Sequence, residues 1–347
     1  MLDNSWFKKE RPFLSMLGFG GGSNSTLVRA IDTGPDSSWT ATGGTKDTSS
    51  KPGYVMHVFT SSGSLVLDGT QPTKNTVDVL LIAGGGGGSA HGTSGGGAGG
   101  LIWRPAVSVS NGTYPITIGG GSASVTSDGS NGKKGTDSTG FSLTAKGGGG
   151  GSHADGYSQT DKPGGSGGGG GYGNSPGGTA TQPTQSGDSG TYGFGSTGGQ
   201  GGGGYAGGGG GGAGGVGQSL PTDGTAYGGT GGVGKDMSPY VGTSYGGSST
   251  AGDNLPAGGW FAGGGAGNSP NPAPTIPHGP NSYPGIKGGK GGGGNSSSPW
   301  STTGFPQSFV DGKINTGSGG GSANSSPTLH AGRGGSGICI VRYPDAY

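Results

Sequence analysis

The sequence predicts a mainly β protein with almost no α-helix. A small β-sandwich forms the base, and an inserted bundle of glycine strands in the polyglycine II arrangement carries long surface loops. Three observations predict this. Glycine supplies 98 of the 347 residues and falls in runs. Short segments of alternating apolar residues gather before residue 147. One more such segment, Gly337–Tyr343, closes the chain after the runs have ended.

The strands come first. Tyr54–Phe59 alternates and is β-branched or aromatic, Ser61–Ser64 reads as a turn, and Leu65–Leu67 returns, which predicts a hairpin. Thr76–Ala83 is the strongest strand, with Val77, Val79 and Leu81 on one face and Asp78, Leu80 and Ile82 on the other. Leu101–Trp103, Val107–Val109, Tyr114–Ile118 and Phe141–Ala145 are shorter strands bounded by Gly, Asn, Pro or Ser. The closing strand presents Ile338 and Ile340, or Cys339 and Val341, as its apolar face and is expected to pair back into the first sheet. This divides the chain into a docking segment 1–24, a β domain 25–147 completed by 336–347, and a glycine-rich domain 148–335.

Glycine runs recur at Gly84–Gly88, Gly95–Gly97, Gly147–Gly151, Gly167–Gly171, Gly201–Gly204, Gly207–Gly212, Gly263–Gly265, Gly291–Gly294 and Gly319–Gly321. Such a run has poor helix and strand propensity. It can adopt the extended threefold helix, in which five residues span about 15 Å. Alone, that helix leaves every N–H and C=O to water. Packed side by side, glycine backbones approach closely enough to satisfy one another. Composition by itself would suggest disorder, but the runs recur at intervals that suit antiparallel passes. Collagen is excluded because no Gly-X-Y triplet is sustained.

Composition also excludes functions. Only 10% of residues are charged and the net charge is +1, so a nucleic-acid footprint is not expected. No stretch of about 18 apolar residues occurs, so membrane insertion is not expected. Met1–Gly22 lacks the apolar core of a signal peptide, which points to synthesis in the cytoplasm. The single cysteine, Cys339, allows no intrachain disulfide and reads as a small buried hydrophobe.

The many Gly-x-Gly-x-x-Gly matches follow from glycine abundance, and none opens a helix with a Lys or an acidic partner. His57, His91, His153, His278 and His330 lack ligand spacing. Asp128, Asn131 and Asp137 fit no calcium loop, and turn chemistry explains them better. His153 with Asp155 and Asp161 reads as a solvated loop. No catalytic residue, cofactor or metal site is expected, and the chain is expected not to be an enzyme.

Certain motifs carry a resemblance. Val77–Ala83 runs into Gly84–Gly88 and is followed by Gly95–Leu101. Then come Tyr114–Gly120, Asp137-Ser138 before Phe141, Thr144–Gly147 and the closing Gly335–Tyr343. In this order they resemble the glycine-rich domain of phage tail and virion proteins, over roughly residues 54–343. The glycine region is also similar to the distal adhesin of T-even-type phage long tail fibres, in which packed polyglycine II helices expose loops that recognise host outer-membrane receptors. The N-terminal part departs from that adhesin. The resemblance implies a location on a tail fibre or other exposed virion surface. It also implies a host receptor, an outer-membrane protein or a glycan, as partner.

Two sets of residues become candidates. The head carries Trp6, Phe7, Lys8, Lys9, Arg11, Phe13 and Leu14 ahead of a Gly20–Gly22 hinge, and reads either as a frayed terminus or as a peptide that docks on other virion or tail proteins. The receptor-contact candidates are Tyr157, Tyr172, Tyr192, Phe194, Tyr240, Trp260, Phe261, Tyr283, Trp300 and Phe305, which lie between or beside glycine runs. Tyr205, Tyr227, Tyr245 and Phe309 share that setting. Aromatics in Tyr/Ser/Gly/Asn loops anchor interfaces at low entropic cost, or else they plug gaps at the bundle ends. Segments 172–197, 266–287 and 295–318 are the longest and the favoured recognition loops. The expected function is a receptor-binding adhesin. A structural virion decoration without a receptor is the alternative, and an ice-binding protein, which would need a regular Thr or Ala face, is a second.

Overall fold

A computed structural model describes residues 39–345, except 71–74, 91–92, 128, 155–159, 183–192, 224–226, 253–255, 269–274, 279–280, 285, 298–309 and 324–329. The strands are β1 (Thr40–Thr42), β2 (Thr45–Asp47), β3 (Tyr54–Phe59), β4 (Gly63–Asp68), β5 (Thr76–Ile82), β6 (Leu101–Ser108), β7 (Gly112–Thr117), β8 (Ser138–Gly140), β9 (Leu143–Ala145) and β10 (Gly193–Phe194). They are followed by β11 (Lys235–Asp236), the single-turn helix α1 (Ser238–Val241), β12 (Trp260–Phe261), β13 (Thr275–His278), β14 (Asn281–Pro284) and β15 (Ile338–Pro344).

Two sheets form the sandwich, with strand orders β1-β4-β7-β8-β9 and β10-β6-β5-β15-β3-β2. Val55, Phe59, Val77, Val79, Leu81, Cys339, Val341 and Tyr343 of the second sheet pack against Leu65, Leu67, Ile116 and Leu143 of the first. The closing strand β15 does return, and it is central: it pairs antiparallel with both β3 and β5. Both of its faces are buried as well, Cys339 and Val341 in the core between the sheets and Ile338 and Ile340 in a second one, which resolves the sequence ambiguity in favour of both alternatives. Ile338 and Ile340 face a second core with Met56, Val58, Leu80, Ile82, Leu101 and Trp103, covered by Ala213, Met237, Val241, Phe261 and Ala262 from the glycine region.

The expected β3–β4 hairpin is instead an arch. β3 pairs with β2 and β15, whereas β4 pairs with β1 and β7. A hairpin would place both strands in one sheet and leave the inner face of β3 bare. Crossing to the other sheet lets Leu65 and Leu67 cover Val55 and Phe59. The two short strands expected at Leu101–Trp103 and Val107–Val109 are one strand, β6, which carries Ala106 at φ 53° opposite a register shift between Val77 and Val79.

The glycine bundle shows the threefold signature directly. Along Gly84–Ser89, the N–H groups of Gly84 and Gly87 donate to Thr136 and Lys133, those of Gly85 and Gly88 to Gly335 and Gly332, and those of Gly86 and Ser89 to Gly97 and Ser94, all at 2.9–3.1 Å. Its carbonyls accept from Gly148 and Gly151, from Ser122, and from Gly320. The strand thus donates in three directions and accepts from three others, and each donor direction repeats after three residues, as a threefold helix requires. Gly95–Gly100 repeats the pattern: Gly95 and Ala98 donate to Gly208 and Gly211, Gly96 and Gly99 to Gly320 and Gly317, and Gly97 and Gly100 to Gly149 and Lys146. So does Gly207–Ala213, which donates to Asn268, Gly265 and Ala262 along one side.

Close packing of these backbones explains the glycines. A Cβ on Gly86 would lie 2.1 Å from the Gly149 carbonyl oxygen, and one on Gly96 2.2 Å from that of Gly86. The bundle takes strands from both sides of residue 147, beginning at Gly84, so the expected border between a β domain and a glycine domain does not separate two bodies. Six passes are direct continuations of sandwich strands: β5 runs into Gly84, Gly100 into β6, β7 into Gly119, Asp137 into β8, β9 into Gly147, and Gly337 into β15.

Surface passes differ from interior ones. Thr230 and Val233 are exposed while Gly229 and Gly232 are buried, and Val216 and Ser219 are exposed while Gly217 and Leu220 are buried. Outward positions three residues apart on these passes carry side chains; Gln218 is exposed as well, and Leu220 turns its side chain inward.

Candidate functional site

The continuity of strands from sandwich to bundle gives the molecule an axis. Gly84, Gly100 and Gly337 mark its sheet-proximal end, while Ser89, Ser94, Ser152 and Asn268 mark the distal end, linked through Ser89 N–H to Ser94 O and Asn268 N–H to Thr93 O. Hydroxyls cap these distal turns: Ser94 Oγ and Thr93 Oγ1 both donate to the Ser152 carbonyl, at 2.5 and 2.9 Å. β1 begins at Thr40 opposite Asp68, the end of β4 remote from the bundle, and β15 ends at Pro344 opposite Tyr54. The first and last described residues therefore lie at the base, away from the distal turns.

Position along this axis sorts the candidate aromatics. Phe194 lies in β10, paired with Leu101 at the sheet-proximal end, with Lys235 Nζ 4.4 Å above its ring. Phe261 is fully buried in the core beneath the second sheet. Its apolar ring fills the space between sheet and lattice, so it is not available as a receptor contact. Trp260, its neighbour in β12, pairs with Asp236 and lies under Lys290 Nζ at 5.2 Å. Tyr240 of α1 packs on Trp103 with ring centroids 4.6 Å apart. These four residues lie at the junction between sandwich and bundle, Phe261 buried, Phe194 and Trp260 half-buried and Tyr240 exposed.

Tyr172 lies at the opposite end. Its ring is edge-on to His153 at 5.2 Å and tilted against Tyr205 at 5.1 Å. Tyr205 is 62% exposed. Sequence reasoning named Tyr205 among the aromatics beside glycine runs but left it out of the receptor-contact candidates; what distinguishes it is that it follows a run, Gly201–Gly204, whose preceding pass climbs away from the sheets. Tyr283 sits in β14 opposite Ile276. Tyr157, Tyr192, Trp300 and Phe305 lie outside the described residues, as do Trp6, Phe7, Lys8, Lys9, Arg11, Phe13 and Leu14 of the head.

The favoured loops sort likewise. Segment 266–287 leaves the bundle at Asn268 and segment 295–318 at Ser297, whose N–H donates to Ser322 O; both exits are distal. Segment 172–197 is split, with Tyr172–Ser175 distal and β10 proximal.

The titratable groups serve the fold. Asn131 accepts from the His153 N–H at 2.7 Å. Burial pushes Asp137 upward, but the Lys146 ammonium at 2.8 Å and the Gly147 N–H outweigh it and hold the carboxyl below its usual range. Burial pushes the Cys339 thiol up.

A mainly β chain whose sandwich strands extend into a glycine lattice is a glycine-rich β protein. The chain belongs to the glycine-rich domain family, whose family model matches residues 60–344. No match to it is found among curated proteins.

Proposed function

We propose that this chain is a non-enzymatic phage virion protein, a receptor-binding adhesin of a tail fibre or other exposed virion surface. The observation that carries the reading is axial. The first and last described residues lie at the base of the sandwich, while segments 266–287 and 295–318 depart from the far end of the lattice. Such a body holds one end for attachment and the other for contact, and loops on a rigid scaffold are where binding residues concentrate. On this reading residues 1–24, which precede the base, dock on other virion proteins. The distal segments meet an outer-membrane protein or glycan of the host. The resemblance to phage adhesins noted from the sequence supports the same assignment.

The test is adsorption. Purified full-length chain should bind host cells and compete with the parent phage for adsorption. Grafting a foreign sequence in place of 298–309 should change which cells are bound while leaving the melting temperature within a few degrees. A chain that binds no host cell and does not slow adsorption would overturn the reading.

A further inference from the structure

The distal end carries a row of rings. His153, buried, meets the edge of Tyr172, and Tyr172 meets Tyr205, whose ring is mostly open to solvent. The two tyrosines stand on neighbouring turns, joined by the N–H groups of Gly173 and Asn174, which both donate to the Gly202 carbonyl. Gly173, Asn174 and Gly204 take φ values of 81°, 65° and 74°, which make these turns tight and lift the rings to the tip. The flanking glycines have no side chains to cover the ring faces. Beside the rings, Asn174 is exposed and Gln200 reaches the Asn174 carbonyl with its amide. From Pro163 to Thr222 the only charged residue in the sequence is Asp188, and the Lys162 ammonium, which reaches this turn, is held on the Pro176 carbonyl at 2.7 Å and on Ser175 Oγ at 3.5 Å.

What the surface offers is aromatic faces, negative at their centres, next to amide groups that both donate and accept. That combination suits a ring whose C–H face is slightly positive and whose rim carries neutral hydroxyls. We propose that the Tyr172–Tyr205 row is a stacking subsite for a neutral sugar ring of a host-surface glycan. This rests on the adhesin reading above and names its partner class. Tyr205 supplies the exposed face, Tyr172 and His153 fix its orientation from beneath, and Asn174 meets the hydroxyls.

Saturation-transfer NMR on the full-length chain, with methyl glycosides of glucose, galactose and mannose as probes, tests it. At least one glycoside should receive saturation at its ring C–H protons. Tyr205→Ala should weaken that glycoside about threefold to tenfold, with no change in melting temperature because the ring is exposed. Tyr205→Phe, which keeps the face, should bind as the parent does. No saturation of any glycoside, or binding undiminished in Tyr205→Ala, would overturn the subsite. If host cells are still bound in that case, the adhesin reading stands and the receptor is a protein; if they are not, both fail.

Discussion

Arg342 grips Asp78 with two nitrogens on one oxygen, Nε at 3.0 Å and Nη2 at 2.9 Å from Asp78 Oδ2. The other carboxylate oxygen accepts the N–H of Ala106, the left-handed residue of β6, at 2.9 Å. The guanidinium also donates to the Tyr240 carbonyl and lies 4.2 Å from the Tyr54 ring centroid. One ion pair thus ties β15, β5, β6 and α1 together where the second sheet meets the helix.

Breaking this pair from the acidic side leaves a largely buried cation. Asp78→Ala should destabilise the protein by about 3–5 kcal/mol, the range for removing one partner of a buried pair. Asp78→Asn, which can still accept from Ala106, should cost less. Chemical denaturation of both variants measures the difference, and equal costs would mean that the Ala106 bond contributes nothing.

His57 predicts an acid sensitivity. Its ring is buried, Nδ1 lies 2.7 Å from the Gly43 carbonyl, and Nε2 lies 3.3 Å from Tyr343 Oη. Burial, the larger cause, holds its pKa below the ordinary value and outweighs the Gly43 bond. Because the folded value is depressed, the unfolded chain binds the proton first as pH falls. Stability contributed by neutral His57 is therefore present above about pH 6.5 and is lost as pH drops from there towards the folded value, by at most about 1.4 kcal/mol per unit. Melting temperatures from pH 7.5 to 5 should decline, and His57→Gln should flatten that decline.

The outer passes end the lattice with side chains. Val216 is 66% exposed, and among the described residues no backbone acceptor meets the N–H of Val216 or Ser219. These outward groups correspond to directions that interior strands use for a neighbour. Removing both side chains, in Val216→Gly with Ser219→Gly, should let a second copy approach. Light scattering should then show mass rising with concentration, by contrast with the parent chain. An unchanged mass would mean that the side chains do not guard this edge.

Much of the sandwich was legible because period-two alternation in β-branched residues, as in Thr76–Ile82, has one structural meaning. The β3–β4 arch was not, since a Ser-Gly turn between two apolar strands reads the same whether the strands pair or face one another. Glycine runs revealed the kind of lattice but not its pairing, because a residue without a side chain carries no mark of its neighbour. The same limit blurred the candidate site. Phe261 and Tyr205 both flank glycine runs. One closes a core and the other faces solvent because their passes end at opposite ends of the bundle, which only the full order of passes determines.

The central claim is that interior glycines are fixed by backbone packing, and a paired substitution tests it most directly. A Cβ on Gly86 would meet the Gly149 carbonyl at 2.1 Å, whereas on Gly120 it would meet nothing nearer than Thr136 Oγ1 at 3.9 Å. Both are single-methyl changes in glycine passes of the same bundle. Thermal unfolding should show Gly86→Ala melting far below the parent or failing to fold, and Gly120→Ala within about 1 kcal/mol of it. Equal melting temperatures for the two variants would contradict the lattice.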